Sequence, residues 1–169
     1  HPKNLHSVVN GEIYNYPQLR KELEEQHGAE FTSHCDSEVV LHGYLAEGLD
    51  FFKRLNGMFA FAMYDADRRM VHLVRDRMGI KPIYYTVYGG QLLFGSEIKT
   101  LFGAMDIDSW PIDKVGLSQF MTYQTTLGNS TMFQGVKLLQ PGHILSVHLD
   151  WISNHQLRRF WHSHPNIDY

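Results

Sequence analysis

The first third of the chain combines one short apolar run with two segments of helical periodicity. Residues 5–9 are rich in Leu and Val, and they predict a strand that ends at Asn10-Gly11. The two segments that follow carry apolar residues three or four positions apart, which is the spacing of one helix face. Because glycine is common just past a helix end, we expect the first helix to end at Gly28 and the second at Gly48.

The middle third changes to a period of two. From Phe59 to Tyr64, large residues alternate with mostly small ones, as in a strand with one large and one small face. Gly89-Gly90 is a strong signal for a two-residue hairpin turn. We therefore predict a meander of about four strands, closed by a short helix near residues 97–102. The predicted strands cover residues 59–64, 70–75, 83–88 and 91–95.

The last third is less regular. Asp113 suits the cap of a helix that runs to Tyr123, and Pro141-Gly142 predicts the turn of a hairpin. After Trp151 the pattern fades. Helices and strands together indicate the α+β fold class. The two hairpin strands are predicted at residues 136–139 and 144–149.

Composition indicates a packed domain. The chain has 169 residues, which corresponds to one domain, and 43% of them are hydrophobic. The formal net charge of −3 predicts no strong attraction to nucleic acid or to anionic membranes. The longest apolar stretch, Met58 to Tyr64, is far shorter than the ~20 residues of a membrane helix. The single cysteine, Cys35, suits a reducing compartment, so we predict a soluble cytoplasmic protein.

The run Asn10-Gly11-Glu12 has two interpretations. It is a hairpin turn if it is structural, since Asn-Gly is a favoured type I′ pair. It is an oxyanion site if it is functional, because the Asn10 side-chain amide and the Gly11 backbone N–H could converge on one developing negative oxygen. Taken alone, the three residues favour the turn.

Asp36 poses a similar choice. Either Asp36 or Ser37 caps the second helix, or the Asp36 carboxylate binds the ammonium group of a ligand. Cys35 with His34 as its base suggests a nucleophile pair, but neighbours on an extended segment point to opposite faces. We therefore expect Cys35 to be a small packing residue.

No metal or nucleotide motif is evident. The chain lacks the glycine-rich phosphate loops and the Gly-x-Ser-x-Gly hydrolase motif. His162 and His164 could bind zinc, but no further ligands at suitable spacing accompany them, so we interpret them as part of a solvated tail. Asp65-Ala66-Asp67 is interpreted as a turn rather than a calcium loop. No metal site is predicted.

Five motifs follow one another along the chain. They are Asn-Gly-Glu-Ile-Tyr-Asn at 10–15, Cys-Asp-Ser-Glu-Val-Val at 35–40, Leu-Asn-Gly-Met-Phe-Ala-Phe-Ala at 55–62, Arg-Asp-Arg-Met-Gly-Ile-Lys-Pro-Ile-Tyr-Tyr at 75–85 and Ser-Glu-Ile-Lys at 96–99. In this order they resemble the glutaminase domain of glutamine-dependent asparagine synthetases, which are class II (N-terminal-nucleophile) glutamine amidotransferases. The Leu-Gln-Pro-Gly-His run at 139–143 is similar to a hairpin of the same family, and the resemblance covers about residues 5–150.

The resemblance implies a fold, a reaction and residue roles. The implied fold is the αββα four-layer sandwich of N-terminal-nucleophile amidohydrolases. In this family an N-terminal cysteine attacks the glutamine side-chain amide, and ammonia passes through a tunnel to a second domain. That domain uses ATP and Mg²⁺ to convert aspartate to asparagine. Carried over to this chain, Asn10 and Gly11 form the oxyanion hole, Asp36 binds the glutamine α-ammonium group and Glu12 lines the same pocket. The motif that begins at Arg75 is interpreted as scaffold, and its charged residues could also position the pocket.

Three features of the family are not found in these 169 residues. Position 1 is His1 rather than the nucleophilic cysteine, which is expected several dozen residues upstream of Asn10. The arginine stretch that binds the glutamine carboxylate and the pyrophosphate loop of the synthetase domain are also absent. We therefore expect a partial domain at residues 1–150, without its N-terminal strands and without a cofactor of its own. Residues 151–169 are expected to be the domain end or the start of a linker.

The parent protein is expected to be an enzyme, with glutamine and the synthetase domain as partners and a homodimer as a candidate assembly. This segment alone is expected to be inactive. Two alternatives stay open from the sequence. One is a similar amidotransferase that acts on a different carboxylate, and the other is a degenerate domain that binds glutamine or a partner without turnover.

Overall fold

The computed structural model describes residues 4–105 and 109–162, which form two antiparallel sheets and four α-helices. The strands are β1 Leu5–Ile13, β2 Gly57–Asp65, β3 Met70–Arg75, β4 Tyr84–Tyr88, β5 Gln91–Gly95, β6 Lys137–Leu138, β7 His143–His148 and β8 Gln156–Arg159. The helices are α1 Tyr16–His27, α2 Glu38–Glu47, α3 Ile98–Met105 and α4 Lys114–Tyr123, and a 3-10 helix at Gly48–Arg54 follows α2.

The first sheet, with strand order β1-β2-β3-β7-β8, separates two parts of the core. Successive side chains of a strand point to opposite faces, so the alternation in β2 gives the sheet two different surfaces. Phe59 and Phe61 pack with the residues of α1, α2 and the 3-10 helix. Ala60 and Ala62 pack with residues of the second sheet. This confirms the predicted period of two.

The second sheet has strand order β5-β4-β6 and lies between the first sheet and α3. Tyr85 of β4 packs with Leu73 and Leu145 of the first sheet, so this side of β4 faces inward. Helix α3 packs against β4 and β5. The layers therefore run helix, sheet, sheet, helix, which confirms the α+β class and the αββα sandwich.

The predicted four-strand meander is wrong, because its strands belong to two sheets. Strands β2 and β3 pair in the first sheet, whereas β4 and β5 pair in the second. The hairpin predicted around Pro141-Gly142 is wrong for the same reason, since β6 pairs with β4 and β7 pairs with β3. A period of two predicts a strand but does not specify its partner, so both crossovers between the sheets resemble hairpin turns in the sequence.

Two charged residues fix the segments in which the chain crosses between the sheets, from β3 to β4 and from β6 to β7. Arg75 donates three hydrogen bonds, all to backbone carbonyls, and the Asp76 carboxylate accepts four, all from backbone N–H groups. Both residues are buried. The acceptors for Arg75 are Gly79 and Leu139 at 2.7 Å and Lys81 at 2.8 Å, and the donors to Asp76 are Phe59, Met78, Ile80 and Lys81 at 3.0–3.3 Å. These contacts support the interpretation of this motif as scaffold.

Several local predictions are confirmed. Helix α1 ends at His27 with Gly28 in the left-handed conformation, at φ 62°. Helix α4 begins where Asp113 caps it, with the Asp113 carboxylate accepting a hydrogen bond from the Gly116 N–H at 2.9 Å. Gly89 and Gly90 connect β4 to β5 in a tight hairpin.

Strand β8 is an element that the sequence pattern misses. It pairs with β7 at the edge of the first sheet, and Phe160 directly after it is buried in the core. All four residues of β8 are exposed, so the strand shows no apolar alternation in the sequence.

Candidate functional site

Asn10, Gly11 and Glu12 lie within β1 rather than in a turn. Strand β1 continues to Ile13 and pairs with β2 residue by residue, with Ile13 opposite Gly57. The hairpin-turn interpretation of Asn10-Gly11 is therefore wrong. All three residues are exposed, so their polar groups are accessible on the surface of the sheet.

Two glycines bring the end of β1 unusually close to β2. Gly11 has φ 134°, and a Cβ at this position would lie 2.0 Å from the Met58 carbonyl oxygen. A Cβ on Gly57 would lie 2.1 Å from the Glu12 carbonyl oxygen. No side chain fits at such distances, so the strand conformation around Asn10 and Glu12 depends on glycine at both positions.

Asp36 contacts β1 instead of capping the second helix. Its Oδ2 accepts a hydrogen bond from the Ile13 N–H at 2.7 Å. Helix α2 begins at Glu38, and Ser37 at the cap position makes no side-chain hydrogen bond to the helix. Ser37 therefore occupies the predicted cap position, but neither Asp36 nor Ser37 caps α2 with a side-chain hydrogen bond. The Asp36 carboxylate lies at the end of the strand that carries Asn10.

Glu38 fixes the loop that carries Asp36. Its buried carboxylate accepts hydrogen bonds from the backbone N–H and the hydroxyl of both Thr32 and Ser33, at 2.6–3.0 Å. Burial alone would raise the pKa of Glu38, but these hydrogen bonds outweigh it and lower the pKa to about 2. The sequence pattern does not indicate this role, because an acidic residue in the first turn of a helix is commonly exposed and interacts with the helix dipole.

Glu12 and Asp36 border one cavity of about 420 Å³, together with the aromatic residues Tyr14 and Tyr16. Asn10 borders a neighbouring cavity of about 390 Å³ between the two sheets. The structure thus brings Glu12 and Asp36 together, while Asn10 lies two residues further back on the same strand. Gly11 connects the two regions. Two larger cavities, of about 560 and 570 Å³, lie beside α1 and α2 and beside Pro141, and none of the four predicted site residues lines them.

The Asn10 cavity lies between β1 and β2 of the first sheet and the end of β5. Val8 belongs to this part of β1 and is 73% exposed, although Ala60 and Ala62 of the adjacent strand are buried. The Asn10 amide Nδ2 donates a hydrogen bond to Ser96 Oγ at 3.0 Å. Ser96 follows β5, so this bond connects the two sheets.

Cys35 is exposed, so its expected role as a packing residue is wrong. Its Sγ lies 2.9 Å from Ser37 Oγ and 3.6 Å from Asp36 Oδ1. The loop before α2 lies at the surface, so the side chain has no core to pack into. These hydroxyl and carboxylate contacts do not include His34, in agreement with the sequence argument against a His34–Cys35 nucleophile pair.

Among residues 4–105 and 109–162, no group of three or more His, Cys, Asp or Glu side chains could hold a metal ion. His162 is exposed, and the predicted tail residue His164 lies outside the described residues. None of the helices in the described part of the chain is both long and apolar enough to span a membrane.

Comparisons with known proteins match most of the chain. A family model described as "Glutamine amidotransferase domain" matches residues 2–161. The chain is 39% identical over 155 residues to asparagine synthetase [glutamine-hydrolyzing] 3 of Bacillus subtilis, covering 91% of this chain and 24% of that protein. It is 40% identical over 144 residues to asparagine synthetase [glutamine-hydrolyzing] 1 of the same organism, covering 85% of this chain and 22% of that protein. The chain therefore spans about a quarter of the length of these relatives.

Among solved structures, glutamine phosphoribosylpyrophosphate amidotransferase from Bacillus subtilis is similar, with a TM-score of 0.64 and 20% sequence identity. The match covers 94% of this chain and 30% of that one. At this identity the likeness shows the fold alone.

Proposed function

The chain belongs to the family of glutamine amidotransferase domains, and from this premise we propose that it is part of a glutamine-hydrolysing asparagine synthetase. In that enzyme it would release ammonia from glutamine for the ATP-dependent conversion of aspartate to asparagine. The observation that carries the proposal is the hydrogen bond from the Ile13 N–H to Asp36 Oδ2. This bond places a carboxylate at the end of the strand on which Asn10, Gly11 and Glu12 lie.

Asn10 and Gly11 are proposed to stabilise the transition state of amide hydrolysis. A cysteine thiolate outside these residues would attack the side-chain carbonyl carbon of glutamine, and negative charge would develop on the carbonyl oxygen. The Asn10 amide and the Gly11 N–H would donate hydrogen bonds to that oxygen, each worth about 2.7–4 kcal/mol in comparable acyl transfers. Collapse of this intermediate, with the proton that the cysteine thiol gave up on activation passing to the leaving nitrogen, would expel ammonia and leave a thioester, which water would then hydrolyse to glutamate.

Asp36 is proposed to bind the α-ammonium group of glutamine, and Glu12 is proposed to line the same pocket. The Ile13 N–H occupies one acceptor site of the Asp36 carboxylate, and a carboxylate offers about four such sites. Hydrogen bonds between an ammonium group and a carboxylate are charge-assisted and stronger than neutral ones. The cavity of about 420 Å³ beside these two residues is large enough for an amino acid.

The exposed face around Val8 and Asn10 supports a location for the nucleophile. Val8 is exposed, and a cavity of about 390 Å³ lies between this part of β1 and the end of β5, so a further strand could lie here and bring a cysteine to Asn10. We propose that the nucleophile reaches the site in this way. These residues alone would then lack glutaminase activity, since removal of a nucleophile eliminates most of the rate.

The remaining functions are proposed for the rest of the parent protein. ATP and Mg²⁺ would be bound by a synthetase domain outside these 169 residues, and the parent would act in the cytoplasm as a homodimer. The acceptor is proposed to be aspartate because the relatives named above are asparagine synthetases.

The proposal is tested with Asn10→Ala in the protein that carries this chain. We expect glutamine-dependent activity to fall about a hundredfold or more, as for other lost oxyanion donors, while synthesis from free ammonia is retained. The measurement compares asparagine formation from glutamine with asparagine formation from ammonium salt. Equal loss of both activities would contradict the oxyanion role and indicate a folding defect. Ammonia-dependent amidation of another carboxylate, but not of aspartate, would contradict the proposed acceptor.

A further inference from the structure

We infer that Ser96 is a positioning residue for Asn10, which it holds so that one amide hydrogen remains directed at the oxyanion. This inference rests on the proposed function and extends it to the Ser-Glu-Ile-Lys motif. The carrying observation is the hydrogen bond of 3.0 Å from Asn10 Nδ2 to Ser96 Oγ, between residues 86 positions apart. Ser96 belongs neither to the buried core nor to the lining of the cavity beside Glu12 and Asp36, so this bond gives it a role.

The donor capacity of the asparagine amide permits both contacts. An asparagine side chain carries two amide hydrogens on one nitrogen. One of them binds Ser96 Oγ, and the second remains for the substrate oxygen. Ser96 therefore does not compete with the substrate for Asn10. It fixes the plane of the amide in which the second hydrogen lies.

Asn10 needs such a partner because it is exposed. The terminal torsion of an asparagine side chain has broad, weak preferences, so an exposed amide without a partner adopts many orientations. Oxyanion stabilisation depends on donors that are already oriented before charge develops. A hydroxyl from the opposite sheet supplies that orientation.

Ser96 is itself held in a defined turn between β5 and α3. A Cβ on Gly95 would lie 2.3 Å from Thr100 Oγ1, so the strand end and the first helical turn are in close contact. The backbone N–H and the hydroxyl of Thr100 both donate to the Glu97 carbonyl, at 3.1 and 2.6 Å. In the same motif, the Glu97 carboxylate forms an ion pair with Lys99 on the surface. Ser96 is the motif residue that accepts the hydrogen bond from Asn10.

The test is Ser96→Ala in the protein that carries this chain. We expect kcat for glutamine hydrolysis to fall about tenfold with little change in KM for glutamine, because the lost orientation acts in the transition state. Synthesis from free ammonia should be unchanged. Ser96→Thr keeps a hydroxyl at this position and should restore most of the rate. Ser153→Ala, which removes a hydroxyl from the exposed turn before β8, is the matched control.

A double-mutant cycle separates positioning from an independent effect. If Ser96 acts only through Asn10, the Asn10→Ala/Ser96→Ala protein has the glutaminase rate of Asn10→Ala alone. Multiplicative losses, or a wild-type rate for Ser96→Ala beside a slow Asn10→Ala, would overturn the inference and leave the proposed function intact. A wild-type glutaminase rate for Asn10→Ala would instead overturn the oxyanion role from which the inference starts.

Discussion

Asp36 and Asp76 both belong to motifs of the family, yet their carboxylates have different surroundings. Asp76 is 1% exposed, and backbone N–H groups from β2 and from the crossover after β3 bind both of its oxygens. Asp36 is half-buried at a cavity, and its carboxylate accepts from one backbone N–H and, at 3.6 Å, from the Cys35 thiol. The first carboxylate has its hydrogen-bonding capacity filled by the fold, and the second retains capacity for a ligand.

The same contrast between a filled and an unfilled carboxylate occurs inside a single motif. Glu38 lies two residues after Asp36, but its buried carboxylate is filled by Thr32 and Ser33. Its function is to hold the loop on which Asp36 lies. Two acidic residues of one motif can thus differ, one with its acceptor sites filled by the fold and one with acceptor sites left for a ligand.

Asp76→Asn should have the largest effect of the substitutions that test this comparison. The new amide nitrogen replaces one oxygen, so two of the four backbone N–H groups would face a donor. Because hydrogen bonds to charged groups contribute about 1.5–3 kcal/mol each, we expect the free energy of unfolding to fall by about 3–5 kcal/mol. Urea unfolding of the 169-residue chain measures this loss. A loss below about 1 kcal/mol would contradict the structural role of Asp76.

The scaffold around Asp76 also shows what the sequence could predict. Helix ends, the alternation in β2 and the Gly89-Gly90 hairpin depend on residues close together in the chain, and the local pattern predicts them. Which sheet a strand joins depends on partners far apart, so the crossovers that Asp76 holds were predicted as turns of a meander and a hairpin.

The candidate site was predictable to a similar extent. The motifs identify Asn10 and Asp36, but the bond from Asp36 to Ile13 spans 23 residues and the bond from Asn10 to Ser96 spans 86. No local rule predicts such contacts, because they follow from how the loop before α2 and the second sheet pack against β1. The sequence pattern does not predict the burial of Glu38 either, because its hydrogen-bond donors lie in an irregular loop.

Glu38→Gln should have the next largest effect, and this effect should depend on pH. The pKa of Glu38 is about 2 in the folded chain, whereas an unfolded Glu has a pKa of about 4.3. Between these two values the unfolded chain binds more protons, so the stabilisation present above about pH 4.5 is lost as the pH falls towards 2. A difference of about two pKa units between the folded and the unfolded chain corresponds to about 3 kcal/mol in the free energy of unfolding.

Urea unfolding of wild type and Glu38→Gln at several pH values between about 6 and 2 tests this expectation. The variant should be less stable at neutral pH, and its stability should change less than that of wild type as the pH falls through the acidic range. Parallel curves for the two proteins would show that Glu38 does not contribute as a charged acceptor. Glu25→Gln on the exposed surface of α1 is the matched control.

Asp36→Asn should have the smallest effect on stability, and its main effect should be on binding. An asparagine oxygen can still accept from the Ile13 N–H, so the free energy of unfolding should fall by less than about 1 kcal/mol. The loss of negative charge should raise KM for glutamine about tenfold in the protein that carries this chain, with a smaller change in kcat. Asp150→Asn, which removes an exposed charge paired with Arg69, should leave KM unchanged. A binding carboxylate must keep acceptor sites that the fold does not fill. An unchanged KM for Asp36→Asn, or a stability loss as large as that of Asp76→Asn, would therefore show that Asp36 is a structural carboxylate like Asp76.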